Sequence, residues 1–111
     1  TGCGAGGHYI AVSPDGDIYP CHQFVGRKEY YMGNVFEESI DKSISEKFIN
    51  SDLLTKQQCQ NCFAKYFCSG GCAANNIFYG GGIDSPHYIY CQIMKTRFEC
   101  ALYIYAMEHE A

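Results

Sequence analysis

The sequence predicts a small, irregular α+β domain with an N-terminal β-hairpin, a cysteine-rich loop and a C-terminal helix. Three observations lead to that class. A turn sequence, Ser13-Pro14-Asp15-Gly16-Asp17, separates two short runs of strand-forming residues. Four cysteines crowd into residues 59–72, where neither strand nor helix periodicity is evident. A helix-start signal, Ser85-Pro86, precedes a long stretch with apolar residues at helical spacing.

Residues 1–7 form a Gly-rich lead-in that carries Cys3, and residues 8–12 read as the first strand. Ile18-Tyr19-Pro20-Cys21 returns after the turn, so the hairpin brings Cys3 and Cys21 to its open end. Pro20 lacks a backbone donor and fixes the approach to Cys21. A shorter extended segment is expected over 31–35. Helical structure is expected over 39–54, with Ile40, Ile44, Phe48 and Ile49 on one face. Residues 59–72 read as a ligand loop, and 75–86, with the run Gly80-Gly81-Gly82, as a flexible connection after a short helical turn. Ser85 as cap and Pro86 in the first turn then open a helix reaching about Met107. Its apolar stripe is Met94, Phe98, Ala101, Leu102 and Tyr105.

The chain has 111 residues, eight cysteines, no tryptophan and a formal net charge of −4, which fits one domain over 1–111 without repeats. A (β/α)₈ barrel needs roughly 200 residues or more and cannot fit. No basic segment followed by an apolar one stands at Thr1, and no apolar run is long enough for a bilayer. The expectation is therefore a cytoplasmic protein without a membrane partner. Eight Lys and Arg against twelve Asp and Glu, with no basic cluster, argue against a nucleic-acid partner.

Disulfides are rare in a reducing compartment, so the thiols point to metal. Cys-x₂-Cys serves zinc and iron–sulfur sites alike, and by itself leaves both open. Cys59-x₂-Cys62-x₅-Cys68-x₃-Cys72, flanked upstream by Cys3 and Cys21 and downstream by Cys91, is far more specific. Cys3, Gly16-x₄-Cys21, the Cys59 to Cys72 run and Cys91 together resemble the seven-cysteine SPASM motif of radical S-adenosylmethionine (SAM) enzymes. The segments Tyr19-Pro20-Cys21-His22-Gln23-Phe24 and Lys65-Tyr66-Phe67-Cys68-Ser69-Gly70-Gly71-Cys72-Ala73-Ala74-Asn75 further resemble the maturases of six-cysteine (SCIFF) peptides, which install thioether cross-links.

The resemblance implies an irregular metal-cluster domain with two auxiliary [4Fe–4S] clusters. Cys59, Cys62, Cys68 and Cys91 match the ligands of the second cluster, and Cys3, Cys21 and Cys72 those of the first. Cys68 and Cys72 are at most about 14 Å apart along an extended chain, so the two clusters are expected to be neighbours. Gly70-Gly71 between them permits positive φ close to sulfide. The first cluster's fourth site is expected to be open or filled by Cys100. Nine residues turn Cys100 to the face opposite Cys91, which favours a buried, free Cys100 over a ligand.

The implied function is an auxiliary domain that binds a substrate cysteine at an open iron, transfers electrons, or both, while a Cys-rich precursor peptide is cross-linked. A radical SAM enzyme also needs Cys-x₃-Cys-x₂-Cys. Here Cys68-x₃-Cys72 is followed three residues later by Asn75. SAM, a third [4Fe–4S] cluster and the radical SAM barrel are accordingly expected elsewhere in a longer chain, and the domain is not expected to be catalytic alone. The alternatives are the SPASM domain of an anaerobic sulfatase maturase or other peptide-modifying radical SAM enzyme, a free-standing two-cluster electron carrier and a two-site zinc module. His8 and His22 are expected beside the cysteines without ligating, His87 and His109 in solvent, and Tyr66 and Phe67 packed on a cluster.

Overall fold

The computed structural model describes residues 2–37 and 39–110. The hairpin forms, though its strands are short: β1 (Ala11–Val12) pairs antiparallel with β2 (Asp17–Tyr19), Ala11 opposite Tyr19 and Val12 opposite Ile18. The expected extended segment is β3 (Gly33–Asn34), which adds to the other edge of β2 in the order β1-β2-β3. The lead-in is tied to this sheet by the Gly6 amide, which donates to the Pro20 carbonyl at 3.0 Å.

Helix α1 (Lys42–Asn50) is shorter than the apolar spacing predicts. Asp41 caps it by accepting from the Ser43 amide at 2.9 Å, which fixes the start after Ile40. Ile40 instead bridges to Gly33. Phe48 is buried, whereas Ile49 faces outward. The lead-in lies directly on this helix: a Cβ on Gly6, at φ +79°, would come 2.7 Å from the Phe48 Cβ. Ser45 Oγ donates to the Gly6 carbonyl at 2.6 Å.

The core is small and aromatic. Phe24 is fully buried, with ring centroids of Tyr30 at 4.5 Å and of Phe48 and Phe78 at 5.3 Å. Burying such a ring contributes about 2–3 kcal/mol. Tyr19, Cys21 and Ala74 complete the buried cluster, and Cys72 packs against it.

The cysteine-rich segment is more regular than expected. Residues 59–72 are not merely a loop but include two helical turns, α2 (Gln57–Gln60) and α3 (Lys65–Cys68). Single turns bury too little to leave an amphipathic pattern, which explains why periodicity misses them.

The connection over 75–86 is likewise a structured hub rather than a flexible link. Helix α4 (Ala73–Asn75) runs into a π-helical turn (Asn76–Gly80). Asn76 is completely buried. Its Nδ2 donates to the carbonyls of Gly70 at 3.2 Å and Ile83 at 3.4 Å, and its Oδ1 accepts from the His87 amide at 3.3 Å. Asp84 receives the hydroxyls of Ser51 at 2.7 Å and Thr55 at 3.1 Å, joining the hub to the exit of α1.

Helix α5 (Tyr88–Glu108) starts two residues later than Ser85-Pro86 predicts, with His87 in the cap position. The Ser85 amide is used in a turn to the Gly82 carbonyl, and His87 is held by Asn76, so helical bonding begins after them. The predicted stripe is only half used. Met94 is buried and Phe98 half-buried, but Ala101, Leu102 and Tyr105 are exposed. The molecule extends 59 Å along its longest axis. A 21-residue helix accounts for about 31 Å of that, and its second half runs past the elements it packs on. No helix among the described residues is long and apolar enough to cross a membrane.

Two outcomes test these assignments. Asn76→Ala strands the buried Gly70 carbonyl and the part-buried Ile83 carbonyl and His87 amide, and is expected to lower unfolding stability by about 2–3 kcal/mol in a denaturant titration. Hydrogen bonds from Ser43 hold the Asp41 carboxyl below its ordinary pKa. A depressed folded-state pKa adds stability above the unfolded-state value, lost as pH falls through the folded-state value. The melting difference between wild type and Asp41→Ala should therefore be present at neutral pH and vanish in acid.

Candidate iron–sulfur site

Seven of the eight cysteines fall into two groups. Cys59 and Cys62 come from α2 and the turn after it, Cys68 from the end of α3, and Cys91 from the first turn of α5. All four line one cavity of about 170 Å³, with Gly70, Gly71, Met94 and Lys65 completing its wall. Cys91 reaches it because α5 is docked onto the loop. The Phe98 ring stacks on Phe67 at 4.9 Å and on Phe63 at 6.0 Å, and Met94 is buried beneath.

Electrostatics shows the same grouping. Burial is the main cause that pushes the Cys59 thiol up, and Cys91, Cys68 and Cys62 add like charge, while Lys56 opposes them. Cys91 is also pushed up, first by burial and then by Cys68, with Lys95 opposing.

The second group is Cys3, Cys21 and Cys72. Burial raises the Cys21 pKa, with further contributions from Cys72 and Cys3, while the backbone amides of Gln23 and Phe24 lower it. Those amides lie next to the thiol because Cys21 leads into a 3₁₀ turn (His22–Phe24), in which the Phe24 amide also donates to the Cys21 carbonyl at 3.0 Å. Cys21 and Cys72 rest on the aromatic core, and Cys3 lines a cavity of about 230 Å³ with His8, Lys56, Ser69 and Gly71.

Chemically, these are sites for a thiophilic group. Among the described residues, no three Cys, His, Asp or Glu side chains converge tightly enough for a single metal ion. The four thiols of the first group stand around a volume instead, and thiolates on several sides of a cavity suit a multi-iron cluster. Raised thiol pKa values mean that loading must expel protons, as is usual when a buried cysteine binds metal.

Cys68 and Cys72 are separated by the left-handed residues Ser69, Gly70 and Gly71, so the chain turns sharply between the two groups. Tyr90 stands beside this link. Its hydroxyl is pushed up first by burial, then by Cys68 from one group and Cys72 from the other.

Several expectations need correction. Cys100 is exposed, not a buried small hydrophobe, because it lies on the half of α5 with no facing element. It is about 13 Å along the helix from Cys91. Tyr66 is 78% exposed and Phe67 packs on Phe98, so neither lines the four-cysteine cavity. His87 is half-buried rather than in solvent, held by its amide to Asn76 and by its ring against Tyr79 at 5.5 Å. His8 lies beside Cys3, and His22 and His109 are exposed.

Three residues escaped the sequence reading. Gln23 Nε2 donates to Cys72 Sγ at 3.6 Å across 49 positions. Asn76 organises the backbone behind Gly70, and Lys56 is buried. Only Gln23 carried a hint, its position two residues after a cysteine.

The sequence profile of SPASM, an iron–sulfur cluster-binding domain, matches residues 3–63. Over 96 residues, or 81% of the chain, 32% of positions are identical to a cysteine-type anaerobic sulfatase-maturating enzyme of Clostridium novyi. A mycofactocin maturase of Mycobacterium tuberculosis is 31% identical over 91 residues, or 76% of the chain. A serine-type anaerobic sulfatase-maturating enzyme of Klebsiella aerogenes is 31% identical over 85 residues, or 68% of the chain. The chain spans 25%, 22% and 20% of the lengths of these three relatives, respectively. The match covers more than half of the chain, and the chain belongs to the SPASM family of iron–sulfur cluster-binding domains.

Proposed function

We propose that the chain is the auxiliary two-cluster domain of a longer radical SAM enzyme that modifies a peptide or protein. In this reading Cys59, Cys62, Cys68 and Cys91 hold one [4Fe–4S] cluster. Cys3, Cys21 and Cys72 hold a second that keeps one iron free of protein ligands. The carrying observation is the division of seven cysteines into a cavity of four and a separate group of three. The length of the relatives, and the lack of a Cys-x₃-Cys-x₂-Cys run, support a SAM site and a third cluster elsewhere in the longer protein.

Such clusters supply a reversible one-electron centre and, at an open iron, a site that holds a thiol as thiolate. The chain's own residues do the rest. The Gln23 and Phe24 amides and the Gln23 side chain direct partial positive charge at Cys21 and Cys72. The aromatic core excludes water behind those two thiols. The substrate proposed for the open iron is a cysteine of a Cys-rich precursor peptide, oriented for thioether formation as in the SCIFF maturases. Two of the three named relatives, the sulfatase-maturating enzymes, favour a second reading, in which the modified protein is a sulfatase.

Anaerobically purified protein should be brown and contain iron with acid-labile sulfide. Cys59→Ala and Cys21→Ala should each lose about half of that iron, and Cys100→Ala none. Colourless protein containing zinc would overturn the assignment. Binding of the precursor peptide should change the cluster spectrum, and its Cys→Ser version should not. In the longer enzyme, thioether formation consumes a substrate thiol, so alkylation should label one cysteine fewer. Turnover of a sulfatase peptide alone would establish the second reading.

A further inference from the structure

Among the described residues Lys56 is the one charged side chain that the fold buries, at 5% exposure. It directly precedes α2, and its side chain forms part of the wall of the Cys3 cavity, beside Ser69 and Gly71. Its ammonium reaches the chain link between the two cysteine groups: a Cβ on Gly70 would lie 2.9 Å from Lys56 Nζ. Gly70 in turn lines the four-cysteine cavity. The left-handed backbone at Gly70, φ +92°, and its missing side chain leave the room that the ammonium occupies.

With its stem buried and its ammonium at a cavity wall, Lys56 is stabilised by an anion nearby. No carboxylate is among the residues that line either cavity. The cysteines are the lining groups that become fully negative when they bind metal.

We propose that Lys56 is the shared countercharge of the two cysteine groups, offsetting thiolate charge on both sides of Gly70 and favouring the reduced state of the clusters held there. The inference rests on the cluster reading above. Reduction adds an electron to a site that is already anionic, and net charge near a cluster helps to set its potential. A partly buried charge is screened less by salt than one in open solvent, so its effect is expected to survive moderate ionic strength. Lys65 and Lys95 also line the four-cysteine cavity but are only half-buried, and Lys65 Nζ is engaged by the Gln60 carbonyl at 3.1 Å.

The test uses anaerobically reconstituted wild type, Lys56→Met, Lys56→Arg and Lys65→Met. Iron and sulfide are assayed, and each cluster is titrated electrochemically while the reduced form is followed by electron paramagnetic resonance. Lys56→Met should disfavour reduction of both clusters by about tenfold, which is about 59 mV for one electron. Lys56→Arg should stay near wild type, and Lys65→Met should move less than Lys56→Met. Loss of iron in Lys56→Met that Lys56→Arg restores also supports the proposal, because charge is what the two variants do not share. Wild-type potentials in an iron-replete Lys56→Met, or equal loss of iron from Met and Arg variants, overturns it while leaving the cluster reading intact. A wild-type protein without iron and sulfide overturns both.

Discussion

Thiols gathered in two adjoining places are the constraint on which the rest of this structure depends. The thiols of Cys21, Cys59 and Cys91 are pushed up, by burial first and then by neighbouring cysteines. The fold answers with oriented donors: backbone amides at Cys21, a side-chain amide at Cys72 and an ammonium near Cys59. Much of the polar architecture is explained by the need to make that density of sulfur tolerable.

The regular structure is correspondingly slight. Strands of two and three residues and single helical turns cannot bury enough surface to hold a domain of this size by themselves. Phe24 and the rings around it make one compact centre, and Asn76 ties three backbone segments to it with hydrogen bonds. The two cysteine groups use these supports differently. Cys21 and Cys72 sit directly on the core. Cys91 instead depends on α5 staying stacked through Phe98 on the segment that carries Cys62 and Cys68.

Much of the site was legible because its members are close along the chain. The hairpin follows from a turn flanked by short extended runs, and it carries Cys21 back toward Cys3. The spacing of Cys59, Cys62 and Cys68 places these thiols within a few residues, so connectivity alone limits their separation. Cys91 could be anticipated from the family resemblance, but its arrival in the cavity needed the stacking of Phe98. The turns α2 and α3 were not legible, since four residues give no periodicity. Nor was the hub over 75–86, where the run Gly80-Gly81-Gly82 suggested a flexible link and concealed the buried Asn76.

By itself the sequence determined the class of fold, the SPASM signature and which thiols are covalently near one another, because local geometry and short connections leave few alternatives. Tertiary structure decided which groups are removed from water. It exposed Cys100 by carrying α5 past its neighbours, turned Tyr66 outward and buried most of Lys56 at the wall of the Cys3 cavity. Burial depends on segments that meet only after folding, as Gln23 meets Cys72 and Lys56 meets Gly70. The electrostatic character of the site is therefore a property of the packed molecule, whereas its thiol content is a property of the chain.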